Sequence, residues 1–495
     1  MSGELDSRFD LRGRSLRAHT ARGSVVNALY TIALNSLGLV KGFVVAVFLT
    51  AGEYGVWGIL FISYITLVWL KQVGIGDKFV QQDEADQELA FQRAFTVELL
   101  FSAGLFVLML ACAPLIGLVY GRSDVVAPAL VLALAVPATA LSSPLWIYYR
   151  RMQFVRQRLL EGIDPVVSFA VTVVLAASGA GYWSLVVGML AGAWAAALVA
   201  VVASPYRLRV SFDRRTLREY TGFSWPLLVT SGSGIVIAQG AIIAGEAELG
   251  AAGAGAIALA ASIVAYADRI DSVVTYTLYP AICAVRDRTE LLFESFVKSN
   301  RLALIWGVPF GVGLALFASD LVEFGIGDEW EPAVILIQVF GLNTAANQLG
   351  FNWDAFYRAR GETRPMAVVA AVTMLAFLCA PLPLLLADGL DGFAIGMAIM
   401  TAVTLAARTV YLVRLFPGFR MLPHALRAVA PTVPAAALVL ALRAVGDLDR
   451  SAGLAAAEVA AYVALTAAAT LWLERGLLRE VGSYLRGVPA AAASH

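Results

Sequence analysis

Long apolar segments alternate with short polar connections along the whole chain. A hydrocarbon core about 30 Å thick is crossed by roughly 20 helical residues, so each apolar segment of that length predicts a membrane-spanning helix. The pattern predicts spans at 24–50, 56–77, 92–119, 125–149, 163–181, 183–204, 222–245, 252–281, 299–321, 331–357, 365–387, 392–415, 423–443 and 454–474. The predicted fold class is therefore an all-α integral membrane protein with about 14 transmembrane helices.

The eighth predicted span, 252–281, is apolar but contains Asp268, Arg269 and Asp271. An ionisable side chain at the centre of a membrane costs about 2.5 to 3.5 kcal/mol even on the most lenient scale, so these side chains must face water or an opposite charge. At 100° per residue, Asp268 and Asp271 fall on one side of the helix. Two interpretations remain open: an ion pair that joins two helices, and the lining of a transport pathway.

Similar polar stripes occur in other spans, which favours the pathway. The candidate cavity residues are Asn27, Asn35 and Lys41 in span one, Tyr64 and Lys71 in span two, Gln239 in span seven, and Asn343, Asn347, Asp354 and Arg358 on one face of span ten. Amide side chains also join transmembrane helices, and this alternative stays open for each single asparagine. Lys41 lies about ten residues from the outer end of its span, too deep for its ammonium to reach the headgroups.

The basic residues are distributed very unevenly between alternate sides of the spans. Of the lysines and arginines, 29 fall on one side and 3 on the other. Cytoplasmic loops of membrane proteins carry the excess of basic residues. The sequence therefore predicts a multi-pass protein of the plasma or inner membrane with cytoplasmic tails at 1–22 and 475–495.

Composition agrees with a membrane protein and excludes several classes of function. The chain is 60% hydrophobic with a mean hydropathy of +0.77, which is not typical of a soluble enzyme. The three cysteines and three histidines are widely spaced, so no metal, cofactor or disulfide framework is expected. No Gly-x4-Gly-Lys-Ser/Thr phosphate loop occurs, so a primary pump is not expected, and nothing indicates a nucleic-acid partner. A membrane glycosyltransferase or polymerase is a remote alternative. Such an enzyme needs carboxylates beside a substantial outer loop, and the only Asp-x-Asp of this chain, at 447–449, lies in a short loop.

A weak internal repeat relates the two halves of the chain. The sequence WIYYR at 146–150 corresponds to DAFYR at 354–358 with an offset of 208, and Gly55 corresponds to Gly255 with an offset of 200. Such symmetry is expected in transporter folds. It predicts two pseudo-symmetric six-helix lobes around a central cavity, at 23–204 and 222–415. A basic cytoplasmic linker at 205–221 joins them, and an extra helix pair follows at 423–474.

Several motifs together resemble oligosaccharide flippases of the multidrug/oligosaccharidyl-lipid/polysaccharide exporter superfamily. They are EYGVW at 53–57, RRMQF at 150–154, GAGYWSLV at 179–186, LYPA at 278–281 and GDEWEPA at 327–333. Together these motifs cover spans one to ten, and it is their order and spacing that make the resemblance specific. The chain departs from the family pattern at Ala256 and Ile257, where the family usually has an aromatic pair.

The resemblance implies a non-enzymatic transporter for cell-surface polysaccharide biosynthesis. Its substrate would be an oligosaccharide linked to undecaprenyl phosphate or pyrophosphate, flipped between leaflets by alternating access. The partners implied are this lipid-linked substrate, the bilayer, and glycosyltransferases or a polymerase of the same pathway, with the protein itself a monomer. The alternative is a cation-coupled small-molecule or multidrug antiporter of the same superfamily.

The charges inside the spans then acquire expected roles. We expect Lys41, Lys71 and Arg269 to bind the anionic headgroup, because a buried cation needs a partner. The carboxylates Asp268, Asp271 and Asp354 would hold these cations in the empty site or bind a coupling ion. The C-terminal helix pair, rich in alanine, leucine and valine, is expected to face lipid or to guide the polyprenyl tail.

Overall fold

The structure is a computed structural model that describes residues 16–71, 73–445 and 450–486. Within these ranges it leaves out the side chains of residues 16–18, 35, 39, 42, 43, 46, 51, 54, 119, 251, 266–272, 329 and 484–486. Every regular element in the described part of the chain is a helix. The predicted all-α class is confirmed.

The chain divides into two compact units, Met1–Gly232 and Ser233–His495. The helices that begin in the first unit are α1 Leu16–Phe48, α2 Ala51–Trp69, α3 Ile75–Gln81, α4 Gln87–Val119, α5 Val126–Ala133, α6 Ala135–Leu141, α7 Leu145–Arg150, α8 Phe154–Glu161, α9 Ile163–Ala177, α10 Trp183–Ala203 and α11 Arg214–Ala284. Those of the second unit are α12 Thr289–Leu321, α13 Val334–Asn347, α14 Trp353–Ala359, α15 Arg364–Cys379, α16 Pro381–Leu415, α17 Met421–Val429, α18 Val433–Val445, α19 Ala452–Leu473 and α20 Arg475–Arg486.

Eight helical runs in the described residues are long and apolar enough to cross a membrane. The bent pair α17 and α18, which meet at 55°, would make a ninth. Shorter apolar helices occupy Gly55–Trp69, Ala252–Ala265, Val273–Ala284 and Arg364–Cys379. The protein is therefore a multi-pass membrane protein, and the number of fourteen spans stays a prediction.

The two longest helical runs are each interrupted where the sequence predicts the connection between two spans. α11 contains Gly250 at φ 70° and ψ −169°, and α16 contains Asp388 and Gly389 in non-helical conformations. Gly250 and Gly389 both have a positive φ, which residues with a Cβ rarely adopt. Each run is thus two helices joined by a very tight turn.

Glycines let neighbouring helices approach closely within each unit. A Cβ atom on Gly192 of α10 would lie 2.4 Å from Oδ1 of Asp164 and 2.6 Å from its backbone oxygen, both on α9. In the second unit, a Cβ atom on Gly311 of α12 would lie 2.3 Å from the backbone oxygen of Gly341 on α13. Membrane helices associate through such small residues, because apolar side chains gain little by leaving lipid for one another.

Candidate functional site

A buried ion pair lies among three helices of the first unit. Lys71, just after α2, places its Nζ 2.6 Å from Oε1 of Glu98 on α4, and the two side chains are 10% and 9% exposed. The same ammonium donates a 2.5 Å hydrogen bond to Oγ1 of Thr139 on α6. Lys71 therefore has an anionic partner within its own unit, and that partner was not singled out from the sequence.

Lys41, the other lysine predicted to bind the headgroup, lies among polar groups of α9. Its Nζ donates a 2.8 Å hydrogen bond to Oγ of Ser168. The Asp164 carboxylate acts electrostatically on both Lys41 and the hydroxyl of Tyr64 on α2. Lys41 is thus hydrogen-bonded to α9, the helix that also carries Asp164.

Asn27 of α1 is fully buried and contacts the short helix α8. Its Oδ1 accepts a 2.6 Å hydrogen bond from Nε of Arg158, whose guanidinium also pairs with Glu161 and lies 5.1 Å from the ring centroid of Tyr30. These contacts join α1 to α8, and the predicted role of Asn27 in headgroup binding stays a prediction.

The polar stripe predicted along span ten is wrong in one respect, because the helix is interrupted. α13 ends at Asn347, residues 348–352 form a turn, and α14 begins at Trp353. Asn343 and Asn347 therefore lie on one helix, whereas Asp354 and Arg358 lie on another. Gly350 has φ +69° in this turn, a conformation that favours glycine over other residues.

Asp354 pairs with Arg358 across one turn of α14, with 3.2 Å between Oδ2 and Nη2. Arg358 also lies 5.3 Å from the ring centroid of Tyr279. Gln239 is half-buried on α11. The side chains of Asn35 and of Asp268, Arg269 and Asp271 lie outside the described residues, so their predicted roles stay predictions.

Each unit contains a contact between an arginine and an aromatic ring at positions related by the offsets of the predicted repeat. Arg150 at the end of α7 lies 5.9 Å from the ring centroid of Phe79. Arg358 and Tyr279 make the equivalent contact in the second unit, at the same sequence offsets of 208 and 200 that relate the aligned segments. Each unit also contains a tyrosine hydroxyl, of Tyr148 or of Tyr357, that donates to a backbone carbonyl 55 or 54 residues further on, although the offset of 208 aligns Tyr357 with Tyr149.

The C-terminal helices carry a charge cluster that the sequence interpretation overlooked. Glu458 of α19 is 5% exposed and Asp320 of α12 is 8% exposed. Arg443 and Arg450 each bond both carboxylates, at distances of 2.6 to 3.0 Å. These four charges join the C-terminal helices to α12, so the predicted apolar pair is not uniformly apolar.

At the opposite ends of the same helices, two further ion pairs join α12 to the C-terminal region. Arg301 pairs with Glu474, and Lys298 pairs with Glu480 of α20. Between the two sets of charges, residues of α12 and α19 line an apolar groove of about 930 Å³, among them Trp306, Phe310 and Val463.

The missed residues share a signal that the sequence does contain. Glu98, Asp164 and Glu458 are carboxylates inside predicted apolar spans, as unusual there as Lys71 is. The partners of Glu98 and Asp164 are 27 or more positions away, and those of Glu458 lie outside its own helix, so helical periodicity cannot identify the pairs. Among the described residues, no group of three or more histidines, cysteines or carboxylates could hold a metal ion.

Outside the spans, two carboxylates cap helices and have pKa values below their ordinary range. Hydrogen bonds from the side chain and backbone N–H of Thr216 lower the pKa of Asp213, which precedes α11. Hydrogen bonds from the backbone and hydroxyl of Thr50 lower the pKa of Glu53 in a capping box at the start of α2. These groups fix the beginnings of helices rather than a binding site.

Comparison with solved structures places the fold among transporters. A MATE protein in its straight conformation matches with a TM-score of 0.67 at 14% identity, over 81% of this chain and 97% of that one. An outward-facing multidrug resistance MATE transporter of the MOP superfamily matches with a TM-score of 0.64 at 14% identity, over 81% and 98%. A mutant of the Vibrio cholerae MATE transporter VcmN matches with a TM-score of 0.64 at 15% identity, over 82% and 98%. The fold is therefore that of MATE-like membrane transporters.

Sequence comparison then gives the family. Residues 44–335 match the polysaccharide biosynthesis protein family. The lipopolysaccharide biosynthesis protein WzxC of Escherichia coli (strain K12) is 23% identical over 361 residues, which are 68% of this chain and 70% of WzxC. The chain belongs to the polysaccharide biosynthesis protein family. The comparisons support its resemblance to Wzx-like flippases of the multidrug/oligosaccharidyl-lipid/polysaccharide exporter superfamily.

Proposed function

We propose that this protein flips an oligosaccharide linked to undecaprenyl phosphate or pyrophosphate from the cytoplasmic to the outer leaflet by alternating access. Family membership and the transporter fold support this proposal. The headgroup of such a substrate is polar and anionic, so it needs hydrated and cationic surroundings, whereas its polyprenyl tail can remain in lipid.

The observation that carries the proposal is the Lys71–Glu98 ion pair. A lysine that is 10% exposed inside a membrane protein needs a negative partner, which Glu98 supplies at 2.6 Å. An anionic headgroup offers Lys71 a second partner, so binding can exchange one ion pair for another. The proposed headgroup ligands are Asn27, Asn35, Lys41, Tyr64, Lys71, Gln239, Arg269, Asn343, Asn347 and Arg358, with Asp268, Asp271 and Asp354 as salt-bridge partners or coupling groups.

The proposal also includes the arrangement of the chain in the membrane. It comprises fourteen spans, two six-helix lobes at 23–204 and 222–415, the basic linker 205–221 and the helix pair 423–474. Both tails, 1–22 and 475–495, are placed in the cytoplasm of an inner or plasma membrane. The distribution of basic residues supports this orientation.

The proposal is tested with protein reconstituted into lipid vesicles containing a fluorescent undecaprenyl-pyrophosphate-linked oligosaccharide. We expect wild-type protein to move the labelled headgroup between leaflets. The double variant Lys71→Gln/Glu98→Gln removes the pair without leaving a lone buried charge, and we expect it to flip at least about tenfold more slowly. Arg215→Gln is the matched control, because Arg215 is an exposed cation in an ion pair with Glu219.

A cation-coupled small-molecule antiporter is the second candidate, favoured by the structural similarity to multidrug MATE transporters. The same vesicles distinguish the two functions. Export of cationic drugs in exchange for Na⁺ or H⁺, without movement of the labelled lipid, would replace the flippase proposal with this one.

A further inference from the structure

The break between α13 and α14 exposes backbone groups that a continuous helix would satisfy. Residues 348–352 form a turn between Asn347 and Trp353. Carbonyl groups at the end of a helix have no partner within it, and in a membrane every such group must be satisfied by other parts of the protein. The partners at this break are side chains from neighbouring helices of the second unit.

Arg408 of α16 satisfies two of these carbonyl groups with one nitrogen atom. Its Nη1 donates hydrogen bonds of 2.5 Å to the oxygen of Asn347 and 3.2 Å to that of Leu349. Arg408 lies inside predicted span twelve, where a cation is costly. The C-terminal end of α13 carries partial negative charge, which stabilises a cation placed there.

Asn300 of α12 holds the same turn from another side. This residue is fully buried, its Nδ2 donates a 2.8 Å hydrogen bond to the oxygen of Gln348, and its Oδ1 accepts one of 3.1 Å from the N–H of Gly350. His424 of α17 contacts the same Oδ1 at 2.6 Å through Nε2. Since Oδ1 is an acceptor, Nε2 of His424 is the donor.

The break is therefore held by specific contacts: Gly350 has a left-handed conformation, and partners lie on two other helices, α12 and α16. His424 of α17 in turn holds Asn300. It separates two pairs of proposed site residues. Asn343 and Asn347 precede it on α13, whereas Asp354 and Arg358 follow it on α14. The angle at the break fixes how these two pairs are oriented relative to each other.

We propose that Arg408 is a positioning residue for transport. Through the carbonyl groups of Asn347 and Leu349 it holds the end of α13, and thereby keeps Asn343 and Asn347 in the orientation that headgroup binding requires. Arg408 itself contacts the backbone in this arrangement and is not proposed to contact the substrate. This inference rests on the proposed function, because the residues that it positions are the headgroup ligands named there.

The first measurement reports the distance across the break between α13 and α14, and it does not depend on transport. Spin labels are placed at Leu342 on α13 and at Arg360 after α14, both exposed, in protein whose native cysteines have been replaced. We expect a narrow distance distribution in otherwise wild-type protein and a broad one in Arg408→Gln. Arg414→Gln is the matched control on the same helix, because Arg414 is exposed and stacks on Tyr411, and it should leave the distribution narrow.

The second measurement separates positioning from general stability. In reconstituted vesicles we expect Arg408→Gln to raise the KM for the lipid-linked oligosaccharide by at least about tenfold at equal amounts of folded protein, whereas Arg414→Gln keeps the wild-type KM. Arg408→Lys keeps the charge but presents a single ammonium, so it should lie between the two. If Arg408→Gln does not accumulate, Arg408→Lys replaces it in both measurements.

A narrow distribution in the Arg408 variant would overturn the inference, and so would a broad distribution with a wild-type KM. Failure of the proposed function is distinguishable, because wild-type protein would then not move the labelled lipid at all. In that case the KM comparison uses the cargo that wild-type protein does transport, and the spin-label result stands on its own.

Discussion

At the scale of single residues, the buried ion pair of the first unit shows that the cost of a buried charge depends on whether it has a partner of opposite charge. Lys71 and Glu98 are each about nine-tenths buried and 2.6 Å apart. Taking two charges out of water is costly, and their mutual attraction roughly offsets this cost, so the intact pair adds little net stability. Removing one partner is different, because the remaining charge stays buried without compensation.

We therefore predict that Lys71→Gln and Glu98→Gln each lower the free energy of unfolding by about 3 to 5 kcal/mol, whereas the double variant regains most of this loss. Thermal unfolding in detergent measures all three. The exposed pair Arg215–Glu219 is the control, with side chains 87% and 51% exposed, and its disruption should cost less than about 1 kcal/mol. Additive losses in the Lys71 and Glu98 variants would mean that the two side chains do not stabilise one another.

At the scale of helices, the close packing of α9 against α10 depends on glycines at the contact. Gly188 and Gly192 lie one turn apart on α10, and both face α9. A Cβ atom on Gly188 would lie 2.0 Å from Oγ1 of Thr172, and one on Gly192 would meet the backbone of Asp164. This spacing brings the two backbones together and also places α9, with Asp164 and Ser168, beside α1 and Lys41.

We predict that Gly192→Val forces α9 and α10 apart and lowers the free energy of unfolding by about 1 to 3 kcal/mol, the usual cost of overpacking. Because the backbone of Asp164 lies in the way, side-chain rotation alone cannot relieve the clash. Gly104→Ala on α4 is the control, since a Cβ atom there meets nothing within 4 Å. Thermal unfolding of both variants measures the effect. Equal unfolding midpoints would show that the close approach of α9 and α10 does not contribute to stability.

At the scale of the whole molecule, the structural features that the sequence predicts well are those that depend on long apolar runs. Span three is predicted at 92–119, and α4 occupies Gln87–Val119. The tight outer turn predicted at 388–391 contains the non-helical Asp388 and Gly389. Such features follow from local hydropathy and from turn residues.

The interruption of span ten was not predicted, because residues 348–352 (QLGFN) lie within the segment 331–357 that was interpreted as one span. What stabilises this turn is distant in sequence: Asn300 lies 48 residues before Gln348, and Arg408 lies 61 residues after Asn347. Hydrogen bonds of this kind leave no periodic pattern. The partner Glu98 was missed for the same reason, because it lies 27 residues after Lys71.

The orientation of the chain in the membrane is a prediction for the whole molecule, and four exposed positions make it measurable. Glu248 and Asp328 lie in predicted outer loops, whereas Arg215 and Arg360 lie in predicted cytoplasmic connections. All four are exposed in the structure, so burial within the protein cannot hide any of them. Differences in labelling between them therefore report only the side of the membrane.

We predict that a cysteine replacing Glu248 or Asp328, in a background without Cys112, Cys283 and Cys379, reacts in intact cells with a thiol reagent that cannot cross membranes. A cysteine replacing Arg215 or Arg360 should react only after the membrane is opened. The reason is the excess of basic residues on the cytoplasmic side, 29 against 3 in the sequence. Labelling of all four positions after permeabilisation is the control for accessibility, and the reverse pattern in intact cells would invert the proposed topology.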